Sequence, residues 1–288
     1  MMSMPDSNHA PHPNGNARLI SMRCHLGELG TRYDLHGHPF DEFTLVTDGP
    51  AVIVYPMGER PIRPDTLLLY RRGERHGARC DSRPSPRFWV IHFLPGPVLE
   101  RALDRLVRLD PAERIWELSA ESAVMFRWFF LQMFKERTQA ASHYRLAESS
   151  WLRLLLVLVQ RWAEGRNSTP EIPGAINSDT MRLWHLVNAL AGKPEEFVRQ
   201  AHQLPNYDSL RHGFKRAFGC SPREMLSVLR IQHAKNLLLE TPLSIKEVSA
   251  RLGFHRQHEF CRTFHRAVGL APSEWRKNPL NAFHEPQK

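Results

Sequence analysis

Short apolar segments alternate with turn residues between positions 18 and 98. Four of these segments are rich in β-branched and aromatic residues, and they lie at residues 43–47, 51–55, 66–70 and 88–93. Gly, Pro and Asp residues separate them, as at 48–50. Short strands at this spacing are typical of a β-sandwich or β-barrel. The pattern therefore predicts a β-sandwich or β-barrel over residues 18–98.

The pattern becomes helical near residue 98. Residues 101–109, 120–139 and 143–164 contain no Pro or Gly, which predicts three helices. Residues 151–159 are apolar except for Arg153, and a helix that is apolar nearly all round must be covered on more than one side. We expect one side to pack on the β domain and another on a second subunit, which would make the protein a homodimer. A single buried helix in a monomer is the alternative.

Residues 165–178 contain Pro, Gly, Asn and Ser without an amphipathic period, so they are predicted to form an interdomain linker. Beyond this segment apolar residues recur at helical spacing, and the chain is predicted to be helical to about residue 277, with 279–288 as a tail. Residues 1–17 are polar and lack an apolar stretch. We interpret them as a disordered leader and not as a signal peptide.

A repeat occurs in the helical C-terminal third. Residues 214–224 and 264–274 share Phe, Arg, Ala, Gly, Pro and Glu in register. Each copy reads as a short helix, a tight turn and a second helix, which is the helix-turn-helix arrangement. A helix over about 222–240 joins the copies. Two recognition helices held in this way can enter successive major grooves, roughly 34 Å apart on one face of DNA.

The second helix of each copy has a polar face with groups suited to base edges and phosphates. A solvated surface is the usual reading of one such face, but two at equivalent positions of a repeat favour DNA contact. The predicted DNA-binding residues are Asp208, Arg211, His212 and Lys215 in the first copy, and Arg256, Gln257, His258, Cys261, Arg262 and His265 in the second.

Charge is distributed unevenly along the 288 residues. The whole chain has 39 Lys and Arg against 30 Asp and Glu, a net charge of +9. Residues 179–288 hold 17 of the bases and 10 of the acids, so most of the excess lies in the helical third. This asymmetry points to a polyanionic partner, here double-stranded DNA. A merely basic surface is the alternative.

The second copy carries residues that resemble the signature of AraC/XylS-type transcription regulators: Gly253, Phe254, Phe260, Cys261, Arg262, Thr263, Phe264, Gly269 and Pro272. The preceding helix matches that family's linker helix at Arg230, Ile231, Ala234, Leu237 and Leu238. The resemblance covers about residues 180–277. It implies a sequence-specific regulator, most often an activator that works with RNA polymerase, binding a bipartite promoter site. The first copy departs from the pattern because its turn is one residue short and contains a proline.

The N-terminal domain contains the spacing Gly30-x5-His36-x-His38-x3-Glu42-x6-Gly49, followed by Gly73-x2-His76, and this resembles the two cupin motifs. The resemblance implies a metal site formed by His36, His38, Glu42 and His76, a ligand set that suits Fe, Mn, Ni or Zn. The same residues could instead line a small-molecule pocket without metal, or be ordinary scaffold histidines.

Further side chains are expected inside the barrel. Tyr55 and Trp89 are predicted to bind the ligand together with the cupin-motif residues, and Phe40 and His92 are expected nearby. Arginines cluster around His76, at positions 71, 72, 75 and 79. They suggest an anionic or hydroxylated effector. A role in surface solubility is the simpler explanation.

The longest uninterrupted aliphatic run, residues 154–159, is far shorter than the ~20 residues of a membrane span. The four cysteines are scattered, so we expect a reduced, cytoplasmic protein without a membrane partner. The predicted fold class is α+β multidomain. A cupin-like sensor barrel (18–98) is followed by a helical dimerisation or relay segment (99–164), the linker (165–178) and an all-α domain with two helix-turn-helix units (179–278).

The predicted function is a DNA-binding transcription regulator that responds to a small-molecule effector, and not an enzyme. The alternative is a metal-dependent cupin enzyme or a metal-sensing regulator that uses His36, His38, Glu42 and His76. A divalent transition metal in the cupin-like domain is the only cofactor that the sequence suggests.

Overall fold

The computed structural model describes residues 17–279, apart from 98–99, 101–105, 107, 167–177 and the side chain of Ser178. Two antiparallel sheets form the N-terminal domain. The larger has the strand order β1-β8-β3-β6-β9, and the smaller has the order β2-β7-β4-β5. The strands are β1 (Arg18–Leu26), β2 (Arg32–His36), β3 (Asp41–Thr47), β4 (Ala51–Tyr55), β5 (Gly58–Ile62), β6 (Thr66–Tyr70), β7 (His76–Arg79), β8 (Arg87–Leu94) and β9 (Ile115–Glu117).

The larger sheet is covered on both faces, which explains why every residue of β3 is buried. Alternate residues of a strand point to opposite faces. Val46 and Val90 therefore pack inside the barrel, against Ile53 of the smaller sheet. Their neighbours Leu45 and Trp89 lie on the outer face, which the helices cover.

Two long helices, α1 (Ala120–Gln139) and α2 (Tyr144–Ala163), cover the outer face. The prediction for 120–139 is confirmed, and the second helix is one residue shorter than predicted at each end. Ser119 caps α1 by accepting a hydrogen bond from the Ser122 amide at 3.2 Å. Between barrel and helices, β9 adds an edge strand that the sequence reading missed, and it pairs with β6.

In its described part the C-terminal domain has seven helices: α3 (Ser178–Ala189), α4 (Pro194–His202), α5 (Tyr207–Phe218), α6 (Pro222–Glu240), α7 (Ile245–Arg251), α8 (Gln257–Val268) and α9 (Pro272–Lys277). The repeat has a structural counterpart. Gly219 and Gly269 end α5 and α8 with φ of 75° and 82°, a left-handed conformation that favours glycine. The predicted α+β multidomain class, a barrel followed by an all-α domain, is confirmed.

The two domains share their hydrophobic cores. Trp184 of α3 and Phe218 of α5 belong to the cluster that contains Phe134 of α1. Ile20 of β1 and Phe40 belong to the cluster that contains the core of the second unit. Strand β1 contacts α6 directly, so the DNA-binding unit is docked on the barrel in this conformation.

Several sequence expectations fall outside the described residues. They are the leader except Ala17, most of the helix at 101–109, most of the linker, and residues 280–288 of the tail. Ala17 itself is buried, and its carbonyl accepts a hydrogen bond from Ser149. Within the described part of the chain, no helix combines the length and the apolar composition that crossing a bilayer requires.

Candidate functional site

The first helix-turn-helix unit consists of α4 and α5. Phe214 and Phe218 anchor the inner face of α5 and are buried. The predicted DNA-binding residues Asp208, Arg211, His212 and Lys215 are all exposed on the same helix. Asp208 lies 3.6 Å from Arg211, so this acid partly neutralises the cation that would approach DNA. The turn spans residues 203–206 and includes Asn206 at φ 58°.

The second unit consists of α7 and α8, with a turn one residue longer at 252–256. Phe260 and Phe264 are buried on its inner face. The predicted contacts Arg256, Gln257, His258, Arg262 and His265 are exposed, whereas Cys261 is half-buried and packs against the core of the unit. The prediction that Cys261 projects outward with the others is therefore wrong, because its position on α8 borders the buried stripe.

Helix α6 connects the two units and holds the turn of the second. It starts with a capping box in which Ser221 and Glu224 each accept a hydrogen bond from the other's backbone amide. Farther along, the guanidinium of Arg230 donates to the carbonyls of Leu252 and Gly253, both at 3.0 Å. One continuous helix thus connects the two units and is hydrogen-bonded to the turn of the second.

A buried polar cluster lies inside the barrel around Glu42. The carboxylate atom Oε2 of Glu42 is 2.7 Å from His92 Nε2, 3.0 Å from His38 Nε2 and 3.6 Å from His76 Nε2. The His36 ring lies 4.7 Å from the His76 ring. Strand register creates the closest pair, because Glu42 on β3 is directly opposite His92 on β8.

The ligand atoms of His38, Glu42 and His92 lie within 4.8 Å of one another, as a metal site requires. The predicted set was His36, His38, Glu42 and His76. The structure brings the four together, but it places His92 in the compact trio, with His76 and His36 farther out. His38 follows strand β2 and does not lie on it.

The second ring nitrogen of each histidine is held by the protein. Nδ1 of His36, His38 and His76 is bonded to the backbone carbonyl of Asp34, Phe40 and Glu74 respectively. A carbonyl only accepts, so each Nδ1 carries the proton and each Nε2 is directed towards Glu42 or its surroundings. Metal-binding histidines show this arrangement. The donor set and its orientation therefore fit a transition-metal ion.

Electrostatics within the cluster follow from burial and close contact. Burial favours the neutral form of Glu42, but His76 and His92 outweigh it and hold the pKa of this carboxyl well below its usual value. Burial likewise opposes charge on His38, yet the hydrogen bond that His38 Nε2 donates to Glu42 raises the pKa of this histidine. Burial lowers the pKa of His92. The cluster contains an ionised carboxylate surrounded by imidazoles that can accept a cation.

The remaining predicted ligand residues have different environments. Tyr55 lies at the edge of the barrel interior with its ring 6.3 Å from Tyr70, whose own ring stacks on His76 at 3.8 Å. Trp89 does not face the cluster. Its ring packs on Phe130 of α1 and its indole donates to Thr47, so its assignment to the ligand site is wrong.

Three of the four arginines near His76 are paired with acids. Arg71 and Arg72 contact both Asp41 and Glu100, and Arg79 contacts Glu59. Arg75 is exposed, and its guanidinium donates to the carbonyl of Leu35 at 3.2 Å. The charges of Arg71, Arg72 and Arg79 are therefore largely neutralised.

Two family models match the chain. Residues 21–156 match an AraC-like ligand binding domain, and residues 206–278 match a helix-turn-helix domain. Among curated relatives, the transcriptional activator RhaR of Enterobacter sp. (strain 638) is 28% identical over 270 residues, which are 86% of this chain and 88% of that protein.

The chain is also similar to one further regulator and to one solved structure. The transcriptional regulator MtrA of Neisseria gonorrhoeae is 30% identical over 131 residues, 43% of each chain. The solved structure of ToxT from Vibrio cholerae O395 is similar with a TM-score of 0.34 and 13% identity, over 89% of this chain and 96% of that one.

Proposed function

Because this chain belongs to the AraC-type transcription regulators, we propose that it activates transcription from promoters that its two helix-turn-helix units bind together. The observation that carries the proposal is the pair of exposed polar faces on α5 and α8. Both faces lie at equivalent positions of a repeated unit, in the most basic part of the chain. Helix α6 joins the units, so one protomer would read a bipartite site in adjacent major grooves.

Selection of bound DNA from a random pool tests this proposal directly. The expected product is a bipartite motif whose halves are about one helical turn apart, and whose binding falls steeply with salt as counterions are released. Binding that does not discriminate the selected DNA from a shuffled competitor would contradict it. RNA polymerase is the expected second partner, and in vitro transcription from the selected site distinguishes activation from repression.

The barrel is the proposed sensor. Its polar cluster is enclosed and has the donor set of a transition-metal site, so we assign it a divalent transition-metal ion as effector or cofactor. His38, Glu42 and His92 would hold the ion, with His76 and His36 beside them. A bound cation would supply positive charge to a cluster in which three imidazoles crowd one carboxylate oxygen. A chelator is expected to change the affinity for the selected DNA.

A homodimer formed through α2 completes the proposal. Leu154 and Val157 are 52% and 39% exposed on the side of α2 that faces away from the barrel, and Leu146 is 57% exposed. Exposed apolar side chains that follow one helix face are typical of an association surface.

Catalysis by the barrel is the competing assignment from the sequence. The activator RhaR, which is matched along most of the chain, is a transcription regulator, and we therefore assign the cluster to binding. Turnover of a small molecule by metal-loaded protein would favour the enzyme instead.

A further inference from the structure

The last residue of the linker helix reaches the polar cluster of the barrel. Glu240 ends α6, and its side chain is only 9% exposed. One of its oxygens pairs with Arg23 of β1. The other, Oε1, lies 3.7 Å from His92 Nε2 and has no hydrogen-bond partner. A residue from the DNA-binding domain thus contributes a buried carboxylate to the edge of the sensor site.

Glu240 Oε1, His36 Nε2 and His76 Nε2 are buried acceptor atoms without a hydrogen-bond partner, and the neighbouring donor atoms Arg23 Nε and Asn236 Nδ2 have no partner either. A buried polar group left unpaired costs ~1–3 kcal/mol, so native structures rarely leave several together. All three acceptor atoms offer electron pairs, since the Nδ1 atoms of both histidines carry the protons. A cation satisfies such a set, whereas an anion or a sugar carbonyl does not.

A second connection joins His92 to the same helix. Nδ1 of His92 is 2.7 Å from the hydroxyl of Ser21, and that hydroxyl donates to Asn236 Oδ1 at 2.9 Å. Ser21 and His92 are fully buried and Asn236 is 2% exposed. The histidine at the centre of the cluster is therefore linked to α6 through Asn236 as well as through its proximity to Glu240.

We propose that the effector site is shared between the two domains, with Glu240 of the linker helix joining His38, Glu42 and His92 in binding a divalent transition-metal ion. The proposal rests on the proposed sensor function of the barrel and adds a ligand from the DNA-binding domain. Occupancy of the site then changes how firmly α6 is docked on β1. Because α6 also holds the turn of the second helix-turn-helix unit, a change in the docking of α6 acts directly on the position of that unit.

Metal binding by the full-length protein tests the proposal. Co²⁺ and Zn²⁺ are titrated by calorimetry, and the visible absorption of the Co²⁺ complex reports its ligands. The variants are Glu240→Gln and the control Glu195→Gln, which removes an exposed carboxylate from α4. We expect Glu240→Gln to weaken binding about 10–100-fold and to shift the Co²⁺ spectrum, and the control to match the wild type.

A double variant separates the carboxylate from its salt bridge. Glu240→Gln leaves Arg23 buried without its partner, which alone can disturb the interface. Arg23→Met with Glu240→Gln removes both charges. We expect this variant to bind metal as weakly as Glu240→Gln.

Each outcome bears on the proposal separately from the DNA-binding function. Recovery of wild-type affinity in the double variant overturns the role of the carboxylate. Wild-type metal affinity in Glu240→Gln, with loss in His92→Gln, assigns the site to the barrel alone. If the wild type binds no metal but still selects a bipartite DNA site, the shared site is wrong and the proposed regulator stands. Failure of DNA selection refutes the regulator itself.

Discussion

The guanidinium of Arg230 lies 3.8 Å from the centroid of the Phe254 ring, so the linker helix is attached to the turn of the second helix-turn-helix unit by a cation–π contact. Two hydrogen bonds to the carbonyls of Leu252 and Gly253 reinforce this contact. The amides of Gly253 and Phe254 also bond to the carbonyls of Ala250 and Ser249, and the Phe254 ring lies 5.3 Å from the Phe260 ring.

Replacing Arg230 should therefore loosen the second unit. We expect Arg230→Met to lower the free energy of unfolding by about 1–3 kcal/mol, since charged hydrogen bonds and a cation–π contact are lost together. Arg223→Met, which removes an exposed arginine from the same helix, is the control and should change little. Urea denaturation measures both. Equal stability of the two variants would show that the contact with Phe254 contributes nothing.

Two glycines of the second unit share a backbone conformation but differ in their surroundings. Gly253 has φ 70°, and a Cβ at this position would lie 2.5 Å from the carbonyl oxygen of Gly192. Gly269 has φ 82°, and a Cβ there would meet nothing within 4 Å. Alanine at Gly269 should cost about 1–2 kcal/mol for the left-handed conformation alone.

Gly253→Ala should cost clearly more than Gly269→Ala because the clash with backbone adds to the strain. The melting temperatures of the two variants provide the comparison, and the difference between them isolates the steric contribution. Similar values would mean that α4 and the turn move apart easily at Gly192.

Lys235 is a buried base that makes the stability of the protein depend on pH. Its ammonium lies over the Trp275 ring at 4.6 Å, and burial lowers its pKa from 10.5 to about 7. Between these two pH values the unfolded chain binds the proton that the folded chain has lost, so the free energy of unfolding rises with pH in this window. Below about pH 7 both states are protonated and the penalty for the buried charge is constant.

Lys235→Met removes this penalty. We expect the variant to melt roughly 2–8 °C above the wild type at pH 6, and the difference to shrink as the pH approaches 10. Calorimetry across this range checks the sign. Lys246→Met, at an exposed position of α7, serves as the control and should show no such trend. A wild-type advantage at pH 6 would mean that the contact with Trp275 outweighs the cost of burying the charge.

The polar cluster illustrates how far sequence reasoning reaches. Local spacing was sufficient to find His36, His38, Glu42 and His76, because the cupin motifs are short and contiguous. His92 belongs to no motif, and only the pairing of β3 with β8 places it opposite Glu42. The alternation of side chains along β8 could nevertheless have indicated which residues face the interior. If His92 faces the interior, Trp89 is an odd number of residues away and must face the helices.

Glu240 could not be assigned in this way. It lies almost two hundred residues beyond Glu42 in sequence, and it approaches the cluster only because α6 docks on β1. The repeat at 214–224 and 264–274 was predictable for the opposite reason. Each copy is a local unit in which a glycine ends one helix and a proline begins the next. The domain interface depends on packing between distant elements, and no local pattern encodes it.

The exposed face of α8 leads to a prediction about DNA sequence. Arg262 is exposed in the middle of this face, and arginine forms two hydrogen bonds with guanine. We expect Arg262→Ala to weaken binding to the selected site by ~1–3 kcal/mol and to relax specificity at one position of the motif. Arg182→Ala, an exposed change on α3, is the control. Uniform loss on all sequences would instead assign Arg262 to a phosphate.

The outer face of α2 determines whether the protein associates with itself. Leu154 is 52% exposed on a helix whose opposite side is buried against the barrel. Complete burial of a leucine side chain contributes ~1.5–3 kcal/mol of favourable free energy. We expect the wild type to be a dimer at micromolar concentration and Leu154→Glu to be a monomer, as measured by sedimentation velocity. Leu29→Glu is the control because Leu29 is 50% exposed, outside the helices. The same charge introduced there should leave the dimer intact. A wild type that sediments as a monomer, alone and on the selected DNA, would show that a single protomer binds the promoter and that the apolar face of α2 does not mediate assembly.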